Sequence, residues 1–375
     1  MAEVLRLQVD APGRVRWVAE ERGELAEGRF RVDTVHSGLS TGTDLSFVKG
    51  TNPSLHRRFD PELRIFEDVV GEGPVTPGVP LPGYPVERFG YMQVGRVVES
   101  RTPAVEAGAM VAMTYGHRTG HDADPLAERF VPLPEGLDPL LGVYVAQMGP
   151  ICANGLLHAA ADVDRGAVTD LGAGVRGRRV AVVGAGVVGL LCGVFAQAHG
   201  ASEVAVVDPT ASRLAVAEAL GLTPVDGTAE DPARLLKTRW RHGPGDRGAD
   251  VVLQCRGQAW ALATALRLLR PQGTVVDLAF YPGGAGEVRL GEEFHHNGLS
   301  LVCAQIGRVP RGLAHLWDRE RLSAETVALL AEHGDAVRKH LVTHVVAFED
   351  APRRIVELAE GRRETLQTVF SATPP

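Results

Sequence analysis

The sequence is poor in the residues that staple or metallate a small fold. It has four cysteines, Cys152, Cys192, Cys255 and Cys303, each about 40 to 60 positions from the next. That spacing contains no CxxC pair, which excludes a secreted-type disulfide framework and a zinc site built on cysteine. Three of the four fall in apolar stretches, where a free thiol serves as a small hydrophobe. Lysine is scarcer, at 49, 237 and 339 only, so the basic residues are nearly all arginine. Net charge is −7 without a run of like charge. That speaks against a nucleic-acid partner, which would want a basic patch. No apolar run reaches the ~18 residues of a membrane span. The opening MAEVLRLQVD places acids where a secretory signal is basic and then apolar. A cytoplasmic protein with no membrane contact is expected.

What is present is an ordinary globular composition, 45% hydrophobic and 23% charged, on a 375-residue chain long enough for two domains. The first part reads as β and loop. Residues 4–9, 15–18 and 30–35 carry β-type side chains between Gly and Pro, and 91–100 and 109–114 continue the pattern. Residues 49–85 hold many Pro and Gly and read as one long loop. Near residue 150 strand and helix begin to alternate. Strands are expected at 180–183, 204–207, 249–255, 274–279 and 299–304, and helices at 190–199, 213–220, 233–240 and 259–269. Such alternation specifies a parallel, doubly wound α/β sheet. A helix at 323–333, a strand at 344–348, a helix at 349–360 and a strand at 366–370 are expected to finish the chain.

The densest signal lies between the first two of those strands. The run Val180–Val183 leads at once into Gly184-Ala185-Gly186-Val187-Val188-Gly189, then a helix, then a strand that ends in Asp208. Gly184 permits the tight turn, Gly186 lets the backbone approach a pyrophosphate, and Gly189 lets helix and strand pack closely. The N–H groups at the helix start, around Val187 and Val188, face a phosphate with the positive end of the dipole. Asp208 stands nineteen residues after Gly189, where an acid hydrogen-bonds a ribose 2′-OH and repels a 2′-phosphate. NAD(H) is thus expected over NADP(H), with Arg213 beside the same ribose.

The order of elements resembles the medium-chain dehydrogenase/reductase superfamily over essentially the whole chain. The matching segments are Ser37-Gly38-Leu39-Ser40-Thr41-Gly42-Thr43-Asp44-Leu45, Phe89 to Glu99, the GAGVVG turn with VVDPTASR, 249–257, 268–276 and Thr343-His344 to Pro352. The SGxSxGT(D/E) pattern is similar to the subgroup that includes bacteriochlorophyllide dehydrogenases. The resemblance implies a GroES-like β-rich catalytic domain (1–150 and 305–375) around a Rossmann domain (151–304). It implies a small-molecule substrate, cofactor contacts at the strand ends Cys255 and Ala279, and a homodimer or tetramer through the Rossmann edge strand 299–304.

Departures from the zinc-dependent members matter as much. Thr41 stands where they have a cysteine ligand, Gly90-Tyr91-Met92 replaces their GHE, and Met148 or a neighbour fills the third ligand slot. Thr, Tyr and Met do not supply a zinc site, so an enzyme without zinc is expected. Thr43 matches the family hydroxyl that meets the substrate oxygen, with Ser40 in the same segment. Tyr91, its phenol set in a vacated ligand position, is a hydrogen-bond donor to an alkoxide-like oxygen. His117 and His121, beyond a strand that borders the family's substrate cleft, are candidates to move the proton. Asp44 is expected to be structural and His295-His296 a surface turn. The expected activity is NAD(H)-dependent interconversion of a secondary alcohol and a ketone, on a sugar or cyclitol hydroxyl. An NADPH-dependent enoyl or quinone reductase, an enzyme with permanently bound NAD doing net non-redox chemistry, and a catalytically silent nucleotide-binding protein stay open.

Overall fold

The computed structural model of the chain describes residues 3–68, 83–164 and 167–373. Its contacts form two units, Met1–Val143 with Thr343–Pro375, and Tyr144–Val342. The divisions fall before and well after the 150 and 305 read from the sequence. The reason is the 23-residue helix Arg319–Leu341, which packs on the helices Met148–Val163 and Val187–Ala198 of the second unit. Leu322, Thr326, Leu329, Leu330, Val337 and Leu341 form its buried stripe. A Cβ on Gly149 would lie 2.1 Å from Thr326, so glycine is what lets the two helices cross so closely. The helix follows its apolar face, whatever its place in the chain.

The first unit is built on a seven-stranded sheet. Its order runs Val342–Ala347, Gln367–Ser371, Phe30–Gly38, Gln93–Ser100, Met110–Met113 and Val131–Pro132, with Gly120–Ala123 also paired to Phe30–Gly38. Alternation along Phe30–Gly38 sends Phe30, Val32 and Thr34 inward. A separate hairpin pairs Glu3–Ala11 with Arg14–Glu21. The long loop expected at 49–85 is in part ordered chain: Arg57–Asp60 and Ile65–Asp68 form a hairpin. Phe59, Ile65 and Phe66 supply β-type side chains, and the Asp60 carboxylate accepts the Glu62 and Leu63 N–H groups at 2.8 Å to set the turn. The Pro- and Gly-rich remainder, 69–82, lies outside the described residues.

The second unit carries six parallel strands in the order Thr223–Asp226, Glu203–Asp208, Arg179–Val183, Ala249–Gln254, Leu269–Asp277, Ser300–Cys303. Numbered along the chain, that is third, second, first, fourth, fifth, sixth, the doubly wound order with its switch point beside Arg179–Val183. The strand Thr223–Asp226 escapes sequence reading because Pro224 argues against a strand. At a sheet edge proline is tolerated. Ser300–Cys303 forms the opposite edge, with Leu301 41% exposed. Among the described residues no helix is long and apolar enough to cross a membrane.

Candidate active site

In the first unit a turn joins the end of strand Phe30–Gly38 to the short helix Asp44–Val48. It gathers the predicted hydroxyls. The Ser40 and Tyr91 hydroxyls lie 2.7 Å apart, with Ser40 buried and Tyr91 half-buried. Thr43 is the residue before the helix, yet its side chain makes no capping bond. Among the described residues its hydroxyl has no partner, and it is half-buried. Thr43 thus takes no part in holding the turn through its side chain. Its carbonyl does that work, accepting the Ser46 hydroxyl at 2.6 Å.

Asp44 is fully buried and accepts the Ser40 N–H at 2.7 Å and His117 Nε2 at 3.3 Å. His117 Nδ1 lies 2.7 Å from Ser37 Oγ, which also takes the Gln93 amide at 3.2 Å. The imidazole sits edge-on between Phe89 and Phe370. A Cβ on Gly90 would lie 2.7 Å from the ring, and Gly90 holds φ +92°, so this position admits glycine for two reasons. His117 is only 2% exposed. His117, a candidate to move the proton, thus has almost no contact with solvent. Its link to the Ser40–Tyr91 pair runs through the Ser40 backbone N–H, which transmits position and no proton. His121 is also engaged, bonded to Glu128 at 2.8 Å and stacked on Tyr115. Burial pushes the Glu128 carboxyl up, but the His121 bond and nearby charges outweigh it and hold it low. Ser37 and Gln93 were not foreseen as members of this network. Both strands carry other polar residues, so no sequence signal singles them out.

In the second unit the glycine turn has the following geometry. Gly184 has φ +103°. A Cβ on Gly189 would sit 1.8 Å from the Gly184 carbonyl, while one on Gly186 would meet nothing within 4 Å. Helix Val187–Ala198 begins with no side-chain cap on its first N–H groups, those of Val187 and Val188. Asp208 ends its strand as expected. Its Oδ2 accepts the Ala185 N–H at 2.9 Å and its Oδ1 the Thr210 N–H at 2.9 Å. It also pairs with Arg256 at 3.2 Å, a residue the sequence reading passed over. Arg213 makes no ion pair among the described residues. The loops that follow strands Ala249–Gln254 and Leu269–Asp277 touch closely, since a Gly257 Cβ would lie 1.8 Å from the Phe280 carbonyl. Burial pushes the Asp277 carboxyl up, against the Ala279 N–H and Tyr281 hydroxyl that bond it. These parts fit a dinucleotide.

They do not fit zinc. Thr41 and Tyr91 offer no zinc donor set. Among the described residues no group of three or more His, Cys, Asp or Glu side chains is arranged to hold a metal. The thiols of Cys192 and Cys255 lie together in the second unit. Burial first, then the Cys152 thiol, pushes the Cys192 thiol well up. The Cys192 bond and burial do the same to Cys255.

Comparison with known proteins agrees with this division of labour. Residues 187–317, all in the second unit, match the family model for the zinc-binding dehydrogenases. The chain overlays galactitol-1-phosphate dehydrogenase of Escherichia coli with a TM-score of 0.72 at 16% identity, covering 98% and 99% of the two chains. It overlays 2R,3R-butanediol dehydrogenase of Bacillus subtilis with a TM-score of 0.70 at 18% identity, covering 99% and 100%. The chain thus has the medium-chain dehydrogenase/reductase fold. Its second unit carries the glycine turn and parallel sheet of that fold's dinucleotide-binding half. In sequence it is 27% identical over 366 residues to the D-guloside 3-dehydrogenase of Escherichia coli (strain K12), spanning 96% of this chain and 97% of that one. It is 31% identical over 190 residues to D-xylulose reductase A of Aspergillus niger, about half of each chain at 50% and 48%.

Proposed function

We propose that the protein is a zinc-independent NAD(H)-linked dehydrogenase that interconverts a secondary alcohol and a ketone on a sugar-like substrate. The observation that carries this is the Ser40–Tyr91 hydroxyl pair, 2.7 Å apart, at the place of a metal ligand, with the unpartnered Thr43 hydroxyl in the same turn. A bound nicotinamide supplies the hydride acceptor or donor. The chain's part is to hold the substrate oxygen, on which charge develops as the hydride moves. Thr43 and Tyr91 donate hydrogen bonds to that oxygen, and Ser40 fixes the orientation of the phenol. Preorganised donors do the stabilising that a Lewis-acid metal does elsewhere. Asp44 holds the turn that presents them, and His117 holds Asp44. The sugar-like class is supported by the name of the relative that spans nearly the whole chain, a glycoside 3-dehydrogenase.

The open edge Ser300–Cys303, with Leu301 exposed, suits continuation of the sheet into a second copy. A homodimer in the cytoplasm completes the proposal.

The test is NADH formation from NAD⁺ with a panel of glycosides and polyols, with and without chelator. Turnover indifferent to chelator is expected, and Tyr91→Phe and Thr43→Val each lower it about 10²–10³-fold with NADH binding unchanged. Zinc at one per chain with activity lost to chelator overturns the reading. So does near wild-type turnover in both variants.

A further inference from the structure

The carboxylate that is expected to meet the adenosine ribose is not accessible. Asp208 is 0% exposed, and its carboxylate is bonded by the Ala185 and Thr210 N–H groups and the Arg256 guanidinium. Arg256 is held in place from several sides. Its Cβ is the atom nearest a Cβ built on Gly184, at 3.0 Å, so it rests on the glycine turn itself. Its Nε donates to Gln258 at 2.8 Å. Its guanidinium carbon stands 5.0 Å from the centre of the Trp260 ring. Its carbonyl accepts the Gln254 amide at 2.7 Å and the Gln258 N–H at 2.7 Å. The side chain keeps 28% of its surface open. What the site shows to a ligand at this point is therefore a guanidinium, over an acid whose charge it neutralises.

An exposed acid at this position rejects a 2′-phosphate, whereas an arginine beside it accepts one. Here the arginine lies over the acid. Guanidinium binds phosphate oxygens in a planar, two-pronged geometry that hydroxyls do not match. Arg213, five residues beyond Asp208 in the first turn of helix Ala211–Ala219, makes no ion pair among the described residues.

We propose that Arg256 is a specificity residue that opens this site to 2′-phosphorylated dinucleotides, so that the protein binds NADP(H) within about tenfold of NAD(H). Asp208 then acts chiefly to tie the glycine turn to the next strand and to hold Arg256. The inference rests on the dinucleotide-binding reading of the second unit, and binding measurements keep the two apart. NADH and NADPH are titrated into the full chain by nicotinamide fluorescence. Comparable affinities are expected for the wild type. Arg256→Gln should weaken NADPH at least tenfold and NADH less than threefold. With the unaltered protein, 2′,5′-ADP should displace NADH at least as well as ADP, and added salt should weaken NADPH more than NADH. Wild-type protein that binds NADH but prefers it over NADPH by a hundredfold overturns the proposal. So does an Arg256→Gln variant that loses both nucleotides equally, which would make Arg256 a support for the turn alone. If neither nucleotide binds, the dinucleotide reading falls and this inference falls with it.

Discussion

Replacing His117 by alanine tests the architecture beneath the hydroxyl pair. Two hydrogen bonds go, to Ser37 at 2.7 Å and to Asp44 at 3.3 Å, together with the edge-on contacts to Phe89 and Phe370. Asp44 keeps the Ser40 N–H, and its Oδ1 already lacks a partner. A buried acid left short of partners costs about 3–5 kcal/mol. The space vacated by the ring adds to that, and collapse of the neighbours offsets part of it. A loss of about 4 kcal/mol is expected for the first unit. His117→Gln, whose amide still donates toward Asp44, should lose only ~1–3 kcal/mol. Because the chain has two units, a single unfolding curve is ambiguous. Trp17 is the tryptophan of the first unit, while Trp240, Trp260 and Trp317 lie in the second. Urea unfolding is therefore followed through Trp17 with the other three replaced by phenylalanine, or by hydrogen exchange in Phe30–Gly38. At ~1–3 kcal/mol per molar urea the midpoint should fall by more than about 1 M. A shift below about 0.3 M, or loss of NADH binding without loss of first-unit stability, would refute the reasoning.

Four further outcomes are expected. Gly186→Ala should melt like the wild type, because its Cβ meets nothing within 4 Å, yet lose NADH affinity at least ~10-fold by filling the phosphate approach. Gly189→Ala, whose Cβ would collide with the Gly184 carbonyl, should lower both melting temperature and affinity, and calorimetry with NADH titration separates the two. Burial holds His158 below its ordinary value, with the Arg308 backbone bond opposing it in part. The folded state then binds fewer protons than the unfolded chain. This contribution to stability is whole above about pH 6.5 and is lost as pH falls below it. Melting temperature against pH should show that decline, and His158→Gln should flatten it. Leu301→Lys should shift the protein to monomer in sedimentation without changing NADH affinity, and an unchanged association state would remove the edge strand from the interface.

The second unit was legible in the sequence because its signals are local. A buried parallel strand is a short apolar run, a glycine turn is a glycine spacing, and the acid at the next strand end is counted along the chain. Helix Val187–Ala198 and the strands around it therefore stand within a few residues of expectation. Replacement of the zinc ligands was equally local, one residue at each of three motifs. Partnership was not. Asp208 read as an open ribose acid, and only the approach of the Ala249–Gln254 strand end, nearly fifty residues later, places Arg256 over it. His117 read as a loop residue, but the sheet carries it against Ser37 and Asp44, from segments seventy or more positions away. The helix Arg319–Leu341 read as part of the first domain, and its apolar stripe joins it to the second. Period and spacing determine which elements form, because each is decided within a turn or a strand. Which charge is neutralised and which histidine is dry depends on side chains brought together by packing, and that is settled only when the sheets close.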